Sequence, residues 1–346
     1  MDTKPNFTIN SHLSKLIDEI SSLRERIISS KIKVAWKPAM QKEATIRSAM
    51  GSTAIEGYVL SLPEVKALAQ GKPEMRNLSS TERAVVNYLS ALSYIQKESG
   101  SLISHDLIYR LHKIIAEGAS EKGTTPGKYR NVQNYVVNGL GQVIYKPPTP
   151  KDVSKLMNSF VKYVNIEAEE YLPIISSGIV HYNFVSIHPF VDGNGRLARL
   201  LGTWELIRRK FDTEHIFSID DIIYEHKAAY YSALQSVQGA QYSKSTDKDL
   251  TPWLEFYLEV MAESLTCAWQ RIIRIPTDSM SEQLSLTPKQ EKLVNLLKDS
   301  GNLSSKDLAK ALKITVQGVH FILKPLIKAK IIKRRGGKKT GAFGLS

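Results

Sequence analysis

The run His188-Pro-Phe-Val-Asp-Gly-Asn-Gly-Arg-Leu-Ala-Arg199 gathers an imidazole, a carboxylate, an amide, two glycines and two guanidiniums within twelve residues. A histidine of ordinary pKa, near 6.5, is mostly neutral at neutral pH. His188 can therefore take the proton of a hydroxyl as that hydroxyl attacks phosphorus. Asp192 is a hard oxygen ligand for a Mg²⁺ that also touches phosphate oxygens, and an equally good cap for a following helix. Gly193 and Gly195 let the backbone approach phosphates closely. The side-chain amide of Asn194 can donate to a phosphate oxygen. Arg196 and Arg199, three apart, share a helix face just inside an N-terminus, where the helix dipole disfavours cations. A surface salt bridge would compensate them modestly; a triphosphate tail does so better, because guanidinium takes phosphate bidentately. The set suits a nucleoside triphosphate, its metal and a base beside it.

Such a turn needs elements on both sides to hold it. Leu197, Leu200, Leu201, Trp204 and Ile207 follow at the spacing of one helix face, so the glycines sit where a loop enters a helix. A helical pattern over 174–185 leads straight into His188. Upstream, Leu13, Leu16, Ile17, Ile20, Leu23, Ile27 and Ile28 mark an amphipathic helix. A second helical run leads into Ser52 and Glu56, with Gly57 as its cap, and two more are read at 80–98 and 102–116. Residues 135–137 and 143–145, around Asn138-Gly-Leu-Gly141, predict a short hairpin that Pro147-Pro148 ends. Helices are expected again at 153–165, 224–237 and 253–273.

The stretch 276–285 is polar and aperiodic, the expected linker. Beyond it, helices at 287–297, 304–312 and 315–329 and a hairpin of 331–334 with 342–345 around Gly336-Gly337 read as a winged helix-turn-helix. Pro325 is awkward inside the third helix. The reading is three regions: a helical 1–100, a core at 101–275 and the winged module at 276–346.

The net charge of +13 is concentrated in the last region, where 279–346 hold fourteen Lys and Arg against four Asp and Glu. Such asymmetry points to a polyanion, or to a basic solubilising surface. Gln317 and His320 are the candidates for reading bases, and Lys324, Lys328, Lys330, Lys333, Arg334, Arg335, Lys338 and Lys339 for phosphate contacts. Winged helices also dock proteins. Cys267 is the only cysteine, which excludes an internal disulfide and a thiolate zinc site. No stretch approaches the ~18 apolar residues of a membrane span, and residues 1–20 lack a signal peptide's apolar core. A reducing cytoplasm and no membrane partner are expected.

The run from His188 to Arg199 resembles the signature of the Fic family, HPFx(D/E)GNGRxxR, with every fixed position filled. Chance matches are on the order of 10⁻¹⁰ per starting position. The resemblance extends roughly over 37–262 and includes Pro126-Gly-Lys-Tyr-Arg130, the hairpin as a substrate-docking flap, and Tyr145 with Pro147-Pro148. Ala198 stands where many relatives carry Gly, at a variable position. The resemblance implies a mainly α fold: a Fic-type helical core with a small β-hairpin flap, and the winged helix-turn-helix domain appended.

It also implies a protein adenylyltransferase that moves AMP from ATP to a Tyr, Ser or Thr hydroxyl of a target protein, the chain itself included. On it His188 is the general base and Asp192 holds Mg²⁺. Gly193, Asn194 and Gly195 form the anion hole, and Arg196 and Arg199 engage the β- and γ-phosphates. Tyr230 and Tyr231 fall where relatives place aromatic residues near adenine, though ordinary helix packing explains them as well. Ser52-Thr-Ala-Ile-Glu56-Gly57 matches the family's inhibitory pattern, (S/T)xxxE(G/N). Glu56 would then pair with Arg199 and occupy the γ-phosphate's space.

Partners implied are the target protein, DNA or a protein at the C-terminal module, and a second copy of the chain in a homodimer. Two rivals stand beside this reading. One is transfer of another phosphoryl-containing group on the same scaffold. The other is a DNA-binding regulator whose core senses nucleotide.

Overall fold

Helix α1 (Ser11–Ser29) starts where the Asn10 side chain accepts the His12 and Leu13 N–H groups. It buries Leu13, Leu16, Ile20, Leu23 and Ile27, the stripe the sequence predicts, against α11 (Thr251–Ile273). The computed structural model describes residues 4–30, 33–71, 75–98, 100–120, 123–211, 213–273, 288–328, 331–335 and 341–345. Among these, fourteen α-helices make the chain mainly helical, as expected.

Helix α2 (Lys33–Ile55) crosses α4 (Ser80–Lys97) and α9 (Ile219–Glu225). The approach to α9 is close: a Cβ on Gly51 would lie 2.4 Å from the Asp220 carbonyl oxygen. Glycine is what permits that crossing. Gly57, at φ +92°, turns the chain out of the helix. Helix α3 (Leu62–Gln70) is not anticipated by the sequence reading, although its capping box pairs Ser61 with Glu64. Ser79 and Glu82 start α4 in the same way. Helix α5 (His105–Ala116) packs on α4.

Strands β1 (Val136–Val137) and β2 (Val143–Tyr145) form the expected antiparallel hairpin, with Val136 opposite Tyr145 and an irregularity after it. Asn138 builds the turn, its Oδ1 accepting the Leu140 and Gln142 N–H groups. The Tyr145 hydroxyl anchors the hairpin on the Ser186 carbonyl at 2.7 Å. Helix α6 (Pro150–Lys162) follows.

At the centre lie α7 (Pro173–Ile187) and α8 (Asn194–Arg208), packed on each other and buried nearly all round. Helices enclosed in this way lose the amphipathic stripe. The helix expected over 224–237 is α10 (Lys227–Gln238); α9, not anticipated, precedes it and ends at Glu225, the two parted by His226, which has left helical geometry at ψ 31°. Helices α1 to α11 share one hydrophobic cluster.

A second cluster holds the C-terminal module: α12 (Pro288–Ser300), β3 (Leu303–Ser304), α13 (Ser305–Leu312), α14 (Val316–Lys328), β4 (Ile332–Arg335) and β5 (Ala342–Leu345). Its sheet runs β3-β5-β4, one strand more than predicted. Helix α14 continues through Pro325. The module touches the core where Lys298 donates to Gln41 on α2 and Arg335 to Gln70 on α3. The expected linker 276–285, the Gly336-Gly337 turn, Lys330, Lys338 and Lys339 lie outside the described residues. No helix among the described residues is long and apolar enough to cross a membrane.

Candidate active site

Helix α7 ends at His188, whose φ of 51° and ψ of 56° turn the chain sharply. A left-handed conformation at a residue other than glycine is uncommon and marks a turn that its surroundings enforce. Three side chains enforce it. Asn194 brackets the loop, its Oδ1 accepting the Phe190 N–H and its Nδ2 donating to the Phe190 carbonyl, both at 2.9 Å. Arg130, 4% exposed, donates to the carbonyls of His188, Val132 and Pro148, tying the turn to the base of the hairpin.

The third is His112 on α5, fully buried and stacked flat on Phe190 with centroids 3.6 Å apart. Its Nδ1 accepts the Gly127 N–H at 2.8 Å, so the proton sits on Nε2, which donates to the Asp192 carbonyl at 3.0 Å. Burial lowers its pKa to about 4, with the bond to Asp192 opposing. His112 is thus a neutral strut under the turn.

The His188 ring is half-buried, and its Nδ1 meets the Val185 carbonyl at 3.0 Å. A carbonyl only accepts, so Nδ1 carries the proton and Nε2 keeps a lone pair. Desolvation lowers the pKa of His188; its bond to Val185 works against this and the Arg130 charge adds to it. The imidazole is therefore a neutral base at physiological pH.

Gly193, at φ +81°, is the N-cap of α8, and its N–H donates to Asp192 Oδ1 at 2.5 Å. Asp192 Oδ2 pairs with Arg196 Nη2 at 3.2 Å. Arg196 is fully buried, its guanidinium over the Tyr58 ring and its Nη1 near the Ile115 and Ala119 carbonyls. It supports the turn from below, whereas Arg199 faces the turn's mouth.

Arg199 donates Nε to the Ser52 hydroxyl, and Nη2 to both the Ser52 carbonyl and Glu56 Oε1, each at 2.8 Å. Burial opposes its charge most strongly, but Glu56, Tyr230, Tyr88 and Asp220 together outweigh this and hold the pKa above its usual value. Its Nη1 is buried with no hydrogen-bond partner among the described residues. A Cβ on Gly195 would stand 2.3 Å from Glu56 Oε1 and 3.3 Å from that Nη1. The carboxylate and the unpartnered nitrogen thus meet over the first turn of α8, where N–H groups favour an anion.

The tyrosine pair separates. Tyr230 is 1% exposed and packs among His181, Trp253 and Phe256, with its hydroxyl 3.3 Å from His181 Nε2. Tyr231 is 37% exposed and reaches the Ile55 carbonyl beside Glu56. Sequence reasoning missed His112, whose one signal is a polar residue in register with the buried Ile108, Leu111 and Ile115. It also missed Tyr88 and Asp220, which lie behind Arg199.

A helical core thus presents an imidazole at a sharp helix exit and, at the next helix entry, a buried guanidinium beside a carboxylate. Residues 102–206 match the Fic/DOC family, and residues 286–333 match a family described as winged helix-turn-helix DNA-binding. The chain carries a Fic/DOC domain followed by a winged helix-turn-helix domain.

A Nematostella vectensis protein named Protein adenylyltransferase Fic is 31% identical over 202 residues, 57% of this chain and 45% of that one. One of the same name from Culex quinquefasciatus is 26% identical over 265 residues, 75% and 48%. The chain spans about half the length of these curated relatives. A Fic family protein from Desulfovibrio desulfuricans shares the fold at a TM-score of 0.65 and 24% identity, over 99% of this chain and 98% of that one. A Fic domain containing signaling protein from Bacteroides thetaiotaomicron does so at 0.61 and 23%, over 76% and 97%.

Proposed function

We propose that the chain is a protein adenylyltransferase, moving AMP from ATP to a Tyr, Ser or Thr hydroxyl of a protein, with Glu56 as its brake. The observation that carries this reading is the carboxylate at the first turn of α8, held by Arg199 against Gly195. An anion site is complete there, and a side chain stands in it. The names of the curated relatives support the same activity. On this reading the inhibitory helix lies within 1–100, the Fic core within 101–275 and the winged helix within 276–346.

With Glu56 displaced, the phosphates of ATP lie along the N–H groups of Gly193, Asn194 and Gly195, and Arg199 turns its outer nitrogens to the β- and γ-phosphates. Asn194 contributes its backbone, since its side chain is engaged with Phe190. Arg196 acts through Asp192. The target hydroxyl attacks the α-phosphorus as His188 Nε2 takes its proton. The bond to the β-phosphate oxygen breaks, and pyrophosphate leaves. Tyr231 lines the side of the site toward adenine, and Tyr230 backs Arg199. Asp192, 23% exposed, fits Mg²⁺, because one carboxylate plus phosphate oxygens is an ordinary coordination for that ion. Bound there, Mg²⁺ neutralises phosphate charge. Positioning and charge stabilisation supply the rate.

The test incubates wild type, Glu56→Gly and Glu56→Gly with His188→Ala in ATP labelled at the α-phosphate. Label on protein should rise strongly with Glu56→Gly and vanish when His188→Ala is added. Equal labelling of wild type and Glu56→Gly removes the brake; mass spectrometry showing phosphoryl in place of adenylyl groups removes the reaction.

A second reading, a DNA-binding regulator with a nucleotide-sensing core, draws on α14, which exposes Gln317, His320, Phe321 and Lys324. Gel shifts at two salt concentrations test it, because phosphate contacts weaken steeply with salt. A cytoplasmic setting fits both readings.

A further inference from the structure

The brake poses a problem of charge. Arg199 is 3% exposed, and among the described residues Glu56 is its only ion-pair partner. On the proposed function, Glu56 must leave before the β- and γ-phosphates arrive. A buried guanidinium without a counter-charge is costly and free to turn away.

Behind Arg199 runs a chain of buried hydroxyls. Arg199 Nε donates to Ser52 Oγ at 2.8 Å. The Ser52 side chain bears on the Tyr88 hydroxyl and favours its charge, and the Tyr88 hydroxyl donates to Asp220 Oδ2 at 3.1 Å. The Ser48 side chain also favours the ionised Asp220, and its hydroxyl lies 3.0 Å from that of Ser218. Ser52 and Tyr88 are fully buried, and Asp220 is 2% exposed. The direction is forced. A guanidinium only donates, so the Ser52 hydroxyl keeps its own proton to turn toward Tyr88, and Tyr88 donates to a carboxylate that only accepts. The chain has one cation at one end and one anion at the other.

The neighbouring Asp221 does not share this role, because it pairs with Arg47 at 3.1 Å. Asp220 is in no ion pair among the described residues, yet Arg199 is the charge that most favours its ionised form. Four helices meet in this chain: α2, α4, α8 and α9.

We propose that Asp220 is a positioning residue: acting through Tyr88 and Ser52, it is the counter-charge that keeps Arg199 aimed at the first turn of α8 once Glu56 has given way to the polyphosphate. Glu56 and Asp220 then divide one task, the first holding Arg199 in the restrained state and the second holding it in the active one. The inference rests on the nucleotide reading of the site.

The test measures binding of ATP and of AMP by calorimetry to full-length Glu56→Gly, with and without Asp220→Asn. Asparagine keeps the shape and an acceptor oxygen for Tyr88 and removes only the charge. ATP binding should weaken by about tenfold or more, the scale of a lost contact to a charged group. AMP, which lacks the β- and γ-phosphates, should bind within about twofold of the parent. Equal loss of both nucleotides means a damaged site and overturns the inference, as does an unchanged affinity for ATP. Tyr88→Phe, which severs the chain but spares the carboxylate, gives an independent reading and should also weaken ATP selectively. If Glu56→Gly binds AMP and ATP not at all, the nucleotide reading itself fails and this inference falls with it.

Discussion

Asp220→Asn should make the protein more stable at neutral pH, although it removes a charge that function uses. Burial raises the carboxyl of Asp220 from its ordinary 3.8 to about 6, with Arg199 and the Ser48 and Tyr88 hydroxyls pulling the other way. The folded state therefore holds the proton more tightly than the unfolded chain. This contribution is complete below pH 3.8, where both states are protonated, and is lost as pH rises through 6. Above about pH 7 the ionised group costs the fold about 3 kcal/mol, from 1.36 kcal/mol for each pH unit of that gap.

Asparagine does not titrate and avoids the cost. Urea unfolding of wild type and variant at pH 8, 7, 6, 5 and 4 should show the variant ahead by up to ~3 kcal/mol at pH 8. A core of this size would melt about 6 °C higher. The advantage should narrow through pH 6 and vanish near pH 4. A variant less stable than wild type at pH 8, or a gap that stays constant with pH, refutes the reasoning. The same substitution lowers ATP affinity in the Glu56→Gly background, so stability and binding move in opposite directions, which a purely structural aspartate would not do.

Two further substitutions address the turn from beneath and above. His112→Ala orphans the Gly127 N–H and the Asp192 carbonyl and loses the stack on Phe190; urea unfolding should report a loss of about 4 kcal/mol, with ATP binding abolished in Glu56→Gly. A loss below about 1 kcal/mol would show that the strut is dispensable. Arg130→Lys keeps the charge but not the planar fork over three carbonyls. AMP transfer by Glu56→Gly should fall about tenfold or more while ATP binding stays within about twofold, because the fork sets His188 rather than the phosphates. Loss of ATP binding instead would place Arg130 in the nucleotide cradle.

The parts of this fold that were legible are those written in local pattern. The stripe from Leu13 to Ile27 has one wet face, so periodicity exposes it; the hairpin announces itself through Asn138-Gly139. The entry into α8 was legible because glycine and asparagine interrupt two apolar runs. Where burial is complete or the signal is a single pair, pattern fails. Helix α3 is nine residues long, and its Ser61–Glu64 box goes unnoticed without a strong apolar run. The break at His226 leaves almost no trace, because α9 and α10 are both helical on either side of one residue. Strand β3 is only two residues long and gains its pairing from Phe343 and Ala342, about forty residues away.

The polar interior was the least legible part, for a physical reason that bears on function. Tyr88 and Asp220 stand 132 residues apart, and nothing near either one signals a partner. Each alone reads as a polar residue at the edge of an amphipathic helix. Only the crossing of α2 over α9, made close by Gly51, brings Ser52, Tyr88 and Asp220 into line behind Arg199. An apolar filling of that crossing would fold at lower cost, since a buried carboxylate without a direct ion pair subtracts from stability. The chain of hydroxyls has its value in what it does to the guanidinium: it fixes the one side of Arg199 that neither Glu56 nor a phosphate can reach. An arginine held from behind can exchange the anion in front of it without losing its aim, and that exchange is what a brake at this position requires.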